Sequence, residues 1–475
     1  MSNVINGLRA FNKPKSGGRI MKKLLRLGLG LAIASSGLAP AAQAARQSII
    51  RDSEIEALLR SYTVPIFKAA RLNPRSIKVV LVDNRAINAF VTSNNRMFIF
   101  TGLLLEAQSP NEVIGVIAHE TGHITGAHLS SLQAEMKRAS TTQIISMLLG
   151  IAATAAGAAS GNTNAGNAGI GIMQGGARIA RRNFLAYRRV QEASADQAAI
   201  SYLNKTHQSA KGMVTVFEKL ANQMMVTLRY VDPYALSHPV PRQRMALLEE
   251  RARRSPYYNK KDPPALQLRH DMMRAKLYGF TRGRGATLRK YKASDKSLPA
   301  RYARAIVSYR SSSIKKAVKQ IDELIRSQPG NPYFWELKGQ ALLESGLARQ
   351  AIGPLKKAVS LAPNAGLIRI MLAQAMLASG NKTLRKAAIT HLRRALLTEN
   401  DNPDPYRLLA RIYGQSGQIA LAQLNSAERF LREGNRSLAF TQAARARKKL
   451  RKGSPAWLRA SDILQLKKLN SRRKR

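Results

Sequence analysis

The chain has 475 residues, more than one hydrophobic core usually serves, so two domains are expected. Apolar residues at 45% exclude wholesale disorder, and the absence of cysteine excludes disulfides, thiolate ligands, cysteine nucleophiles and a lipid-modified N-terminal cysteine. A formal charge of +51, from 78 Lys and Arg against 27 Asp and Glu, attracts anionic partners without choosing among nucleic acid, lipid or lipopolysaccharide surfaces and acidic proteins.

The N-terminal stretch narrows that choice. Met21-Lys22-Lys23 is a short positive segment, Leu24 to Leu38 is mostly apolar, and Ala42-Gln43-Ala44 offers small residues for cleavage after Ala44. These are the three parts of a secretory signal peptide, expected over residues 1–44, and Pro40 closes the apolar run short of a permanent span. An exported, cysteine-free, basic chain fits the bacterial periplasm. Export also removes DNA and RNA as working partners.

Asp52 to Arg71 then reads as an amphipathic helix, with Ile55, Leu58, Leu59, Tyr62, Ile66 and Ala69 at helical spacing and Pro65 as a candidate kink. Strands are expected at Lys78 to Val82, Ala86 to Val91 and Arg96 to Phe100, the last two flanking the turn-forming Ser93-Asn94-Asn95. Helices follow at Gly102 to Ala107 and at Asn111 to Ser131, the second signalled by Ser109-Pro110. Residues 142–180 form an Ala/Gly-rich apolar excursion, read as a buried or lid-forming helical hairpin with scope for peripheral membrane contact. The polar, Pro-containing stretch after Arg251 marks a domain boundary, with linker helices over 256–298. Pro329 and Pro363 stand 34 residues apart, the period of tetratricopeptide repeats, with Trp335, Leu337, Gly339, Ala341, Gly346, Ala351, Leu355 and Ala358 between them. Repeats are expected over 299–452, with an insertion at Lys382-Thr383-Leu384 and a basic tail over 453–475. The whole predicts an α+β, mainly α chain in which an α-solenoid follows the N-terminal domain.

The chemistry is concentrated in Val116-Ile117-Ala118-His119-Glu120-Thr121-Gly122-His123-Ile124. At about 100° per residue, His119 and His123 share one helix face, where a single Zn²⁺ takes both imidazoles at roughly 2.0–2.1 Å. Glu120 stands beside the first ligand without ligating, in reach of the attacking water as general base. A third ligand in the HExxHxxGxxH pattern would need histidine at position 129, which is Leu129. His128 misses by one and, nine residues after His119 on a continuing helix, points to the opposite side, so it is read as structural or exposed. Arg189 to Ala199 supplies the alternative: Glu192 and Asp196 share a face among small residues. Glu192 would complete a His₂Glu site and Asp196 would orient a ligand histidine by hydrogen bonding its distal nitrogen. Residues 45–255 are therefore expected to be a zincin-type metallopeptidase domain holding one Zn²⁺ per chain.

HETGH, then Arg189-xx-Glu192-xx-Ala195-Asp196, then His238-Pro239 and Arg244-Met245, resembles the gluzincin family of CAAX prenyl proteases and HtpX-type membrane peptidases. The resemblance implies His119, His123 and Glu192 as metal ligands, Glu120 as base and Asp196 as their supporting carboxylate. It also implies His238 as a loop histidine that either lies over the zinc and restrains activity or stabilises the oxyanion, with Arg244 positioning this region. Asn88-Ala89-Phe90 resembles the family's edge strand, which pairs with substrate backbone by strand addition. With the signal and the repeats, the resemblance points to periplasmic members that degrade misfolded or stalled outer-membrane β-barrel proteins. It leaves the β-barrel assembly machinery as a candidate partner of the repeats. Two other functions compete: an assembly scaffold with a largely silenced peptidase site, and a charge-driven binder of lipopolysaccharide or anionic lipid.

Overall fold

A computed structural model describes residues 48–92, 94–128, 186–226, 238, 242–311 and 313–472. The signal peptide expected at 1–44 and the excursion expected at 142–180 lie outside these residues. The expected helix over Asp52 to Arg71 is α1, Ser53–Ala69, capped by Asp52, whose carboxylate accepts from the backbone of Glu54 and Ile55; it runs through Pro65. A mixed four-stranded sheet in the order β1-β2-β4-β3 packs beside it. β1 (Ser48–Ile50), a strand absent from the sequence reading, pairs antiparallel with β2 (Lys78–Asp83). β2 runs parallel to β4 (Arg96–Phe100), and β3 (Ala89–Thr92) is antiparallel to β4 at the outer position.

The sheet delivers the chain through α2 (Thr101–Glu106) into α3 (Pro110–Thr125), which Ser109 caps with Pro110 in the first turn. Every residue of α3 from Pro110 to His123 is buried, which makes it the axis of the domain. A helix over 186–205, here α4, and α5 (Lys211–Val226) flank it, followed by α6 (Arg242–Arg253). The main core joins Tyr62, Ile66 and Phe67 of α1 with Met97, Ile99, Val113 and Ile117, and with Leu203, Met213 and Phe217 of α4 and α5.

The segment read as linker is a fixed element. In α7 (Pro264–Thr281), Met273 and Leu277 belong to the core just described, while Met272 and Ala275 pack into the first core of the C-terminal array. After the short α8 (Arg284–Lys290), five helical hairpins follow among the described residues. Their first helices are α9 (Leu298–Arg310), α11 (Pro332–Glu344), α13 (Gly366–Ala378), α15 (Pro403–Gln415) and α17 (Arg436–Lys449). The first three starts are 34 residues apart. The next interval is 37, because the sequence insertion forms a 3₁₀ turn, Lys382–Leu384. Gly339 shows why this packing selects glycine: a Cβ there would lie 2.4 Å from Leu355 Cγ on the second helix of the same hairpin.

The basic tail expected over 453–475 is corrected by α18, Pro455–Arg472, which buries Ala460 and Ile463 against Leu424, Ala427, Ala443 and Ala446. As the second helix of the fifth hairpin, it covers apolar residues of the two helices before it that would otherwise be exposed. The array also touches the first domain: Arg51 pairs with Glu399 at 2.6 Å and Lys78 with Asp401 at 2.7 Å. Among the described residues, no helix is long and apolar enough to cross a membrane.

Candidate metal centre

Close helix contact builds the site. A Cβ at Gly122 would stand 2.8 Å from the Ala195 carbonyl oxygen, and one at Gly115 would stand 2.7 Å from the Met213 side chain. Glycine at these two positions lets α3 approach both flanking helices. The small Ala195 sits between Glu192 and Asp196 on α4, so the same contact brings both carboxylates to the histidine face.

Ligand atoms of His119, His123, Glu192 and His238 all lie within 4.8 Å of one another, and all four residues are buried. His119 Nε2 is 3.1 Å from His123 Nε2, 3.3 Å from Glu192 Oε2 and 3.4 Å from His238 Nδ1. His123 Nε2 is 3.5 Å from Glu192 Oε1, and His238 Nδ1 is 3.0 Å from Glu192 Oε2. Ligands at 2.0–2.1 Å in a tetrahedron stand about 3.3 Å apart. Imidazole and carboxylate donors at these separations fit Zn²⁺ in both chemistry and spacing.

Glu120 is fully buried, and its two carboxylate oxygens have no hydrogen-bond partner among the described residues. His238 Nε2 lies 3.6 Å from Glu120 Oε1, so the His238 ring stands between the candidate base and Glu192. Burial raises the Glu120 pKa, against the opposing charges of His238 and His119. For His119, burial acts downward, but hydrogen bonds to Asp196 and Glu192 prevail and lift it to about 9. His123, by contrast, is held well below its usual value by burial and by the neighbouring His119 charge. Glu192 is lowered despite burial, chiefly by His238 and His119, and Asp196 is lowered despite burial by Arg244.

The supporting layer is equally closed. Asp196 Oδ1 lies 2.9 Å from His119 Nδ1, the position expected for a carboxylate that orients a ligand histidine. Arg244 donates through Nε to Asp196 Oδ2 at 2.7 Å and through Nη2 to Oδ1 at 2.8 Å, and its Nη1 lies 3.0 Å from Glu192 Oε2. Phe217, which the sequence reading did not single out, packs edge-on to His119 at 5.2 Å and carries the Arg244 guanidinium 5.2 Å above its ring. Asn88 is buried, Ala89 and Phe90 belong to β3, and β3 packs against α3; Phe90 stacks on Phe98 at 4.9 Å.

The sequence reading of His128 is corrected. The helix ends at Thr125, and Ala127 takes a left-handed turn at φ 50°, so residue 128 does not continue the α3 spiral. His128 is buried and its Nδ1 lies 2.9 Å from His123 Nδ1. The Gly126-Ala127 pair was the signal for this break, since glycine after a helical run commonly ends it.

Two facing histidines on a helix, a glutamate from a second helix and an adjacent buried glutamate define the architecture of an HExxH metallopeptidase. Residues 50–252 match the model of Peptidase family M48. The chain is 30% identical over 269 residues to the putative beta-barrel assembly-enhancing protease of Vibrio cholerae, covering 54% of this chain and 51% of the relative. It is 25% identical over 342 residues to the beta-barrel assembly-enhancing protease of Escherichia coli K12, covering 70% and 66%. To that of Yersinia pestis it is 26% identical over 406 residues, covering 82% and 79%. The alignments with the first two thus span about half and just under two thirds of those relatives. A solved structure titled "Crystal structure of MamA" aligns with 36% of this chain and 97% of that one at 20% identity; its TM-score of 0.28 is too low to carry an argument.

Proposed function

We propose that the chain is a zinc-dependent endopeptidase of the bacterial periplasm that degrades misfolded or stalled outer-membrane β-barrel proteins. The observation that carries the chemistry is the convergence of His119, His123 and Glu192 beside a buried Glu120 whose oxygens make no hydrogen bond among the described residues. In this reading these three residues hold one Zn²⁺, which supplies Lewis acidity to the scissile carbonyl and the attacking water. Glu120 takes the proton of that water and returns it to the leaving amine. Asp196 holds the His119 tautomer, Arg244 holds Asp196 and Glu192, and the outer strand β3 with Asn88, Ala89 and Phe90 offers backbone to an extended substrate. The relatives' printed names and the expected signal support the envelope substrate class. The 34-residue helical hairpins are read as tetratricopeptide repeats that dock substrate or the β-barrel assembly machinery. The +51 charge fits additional contact with lipopolysaccharide or anionic lipid.

One observation favours a restrained enzyme, and in the extreme a scaffold with a silenced site. His238 fills the fourth corner of the ligand set, whereas a working catalytic site keeps that corner open. The test measures zinc content and cleavage of an unfolded protein by the mature chain, Glu120→Gln and His238→Ala. One zinc in each, cleavage lost in Glu120→Gln and raised in His238→Ala would support the proposal. Zinc with no cleavage in any form would favour the scaffold, and no zinc would overturn the site.

A further inference from the structure

We infer that His128 is a positioning residue for the metal centre: it holds His123 in the tautomer and orientation that present Nε2 to the other ligands. The inference rests on the metal reading above and extends it to a residue outside the ligand set.

The two nitrogens of His123 face different partners. Nε2 faces His119 Nε2 at 3.1 Å and Glu192 Oε1 at 3.5 Å, so this is the atom offered to a cation. A neutral imidazole that ligates through Nε2 carries its hydrogen on Nδ1. That Nδ1 meets His128 Nδ1 at 2.9 Å, a hydrogen-bond distance at which one nitrogen donates and the other accepts. With His123 donating, His128 has a bare Nδ1 and its own hydrogen on Nε2. On the other ligand histidine, His119 Nδ1 faces Asp196 Oδ1 at 2.9 Å. The two ligand histidines are thus oriented by different chemistry, a carboxylate for one and a neutral imidazole for the other.

Three features place His128 for this task. Ala127 at φ 50° takes the left-handed conformation, which a residue with a side chain keeps only where the surroundings impose it. Gly126 clears the space: a Cβ there would stand 2.1 Å from His128 Nε2 and 2.5 Å from Cδ2, inside the imidazole. Gln191, the neighbour of Glu192 on α4, donates from its side chain to the His128 carbonyl at 3.2 Å. The strand of chain carrying His128 is therefore tied to the helix that supplies the third ligand.

The experiment is a zinc competition titration against a chromophoric chelator, on the full mature chain, with circular dichroism to follow folding. His128→Ala is expected to weaken zinc binding by about 10–100-fold, the usual cost of losing a partner that orients a ligand histidine. His128→Asn places an amide oxygen near the Nδ1 position and is expected to restore most of that loss. Gly126→Ala keeps the imidazole but displaces it, and is expected to weaken zinc binding as His128→Ala does. Should His128→Ala fail to fold, the comparison of His128→Asn with Gly126→Ala carries the test. Wild-type affinity in both His128→Ala and Gly126→Ala, or equal losses in His128→Asn and His128→Ala, would overturn the inference while leaving the metal reading intact. A wild-type chain that binds no zinc would overturn both.

Discussion

At the scale of single residues, the site is a set of buried charges that only tolerate burial together. Arg244 is 9% exposed at its side chain and satisfies Asp196 and Glu192 at once. Removing one partner of a buried ion pair strands the other, at about 3–5 kcal/mol. Arg244→Ala is therefore expected to lower stability by that order in denaturant titration and to weaken zinc binding; unchanged values would mean that Asp196 and Glu192 find other donors. Glu120→Gln preserves shape but cannot accept a proton. Cleavage is expected to fall about 10²–10⁴-fold with zinc content unchanged, read by peptide turnover and metal analysis on the same sample. His119, Glu120, His123, Glu192 and Asp196 were legible because helical spacing is a local rule. The same rule projects His128 to the opposite side, which fails because the helix ends three residues earlier, while its reading as a structural histidine fits its burial against His123. Phe217 carried no signal, because an aromatic in an amphipathic helix looks alike whether it packs on leucine or on a ligand.

The elements are set by close approach. Gly122 against Ala195 fixes the distance between the helices that supply the histidines and the glutamate. Gly122→Ala forces them apart, and overpacking of this kind costs about 1–3 kcal/mol. Zinc affinity should fall more than stability does, because a small helix shift moves Glu192 out of reach; equal zinc binding in chelator competition would show that the helices absorb the methyl group. In the array, α18 closes the final hairpin through Ala460 and Ile463. Truncation after residue 453 is expected to lower the thermal midpoint of the array and promote association, while zinc content stays the same. An unshifted melting curve would make α18 dispensable. Its reading as a tail fails because the basic run Arg472-Arg473-Lys474-Arg475 dominates the end of the sequence, while the burial of Ala460 and Ile463 becomes visible only against the neighbouring helices.

For the whole molecule, the decisive feature is a buried polar knot between the two cores. Lys276 of α7 lies 2.7 Å from Asp52 and 3.2 Å from Glu54, and the Tyr302 hydroxyl of α9 donates to Glu54 at 2.8 Å. Glu336 of α11 is buried nearby, and burial pushes its pKa from 4.5 up to about 8 despite the Lys276 charge. Folding therefore favours the protonated form, and this contribution is full below pH 4.5 and lost as pH rises toward about 8. Wild-type stability is expected to decline over that window more steeply than that of Glu336→Gln, measured by thermal melts from pH 5 to pH 8. Parallel curves would show that Glu336 is not the titrating group. The knot also makes residues 256–298 part of both cores, where composition alone suggested a linker.

By itself the sequence determined the HExxH helix, the helix that carries Glu192 and Asp196, the 34-residue hairpin period and most strands and helices. Each of these rests on periodicity or spacing within a single element, which backbone geometry converts directly into shared faces. Tertiary structure alone decided that His238 lies within 4.8 Å of the candidate ligand atoms, that His128 turns back onto His123, that Arg244 spans both carboxylates and that α7 and α18 are buried elements. Those outcomes depend on which surfaces meet after folding. Burial, desolvation and approaches of 3 Å between residues distant in the chain leave no periodic trace in the order of amino acids.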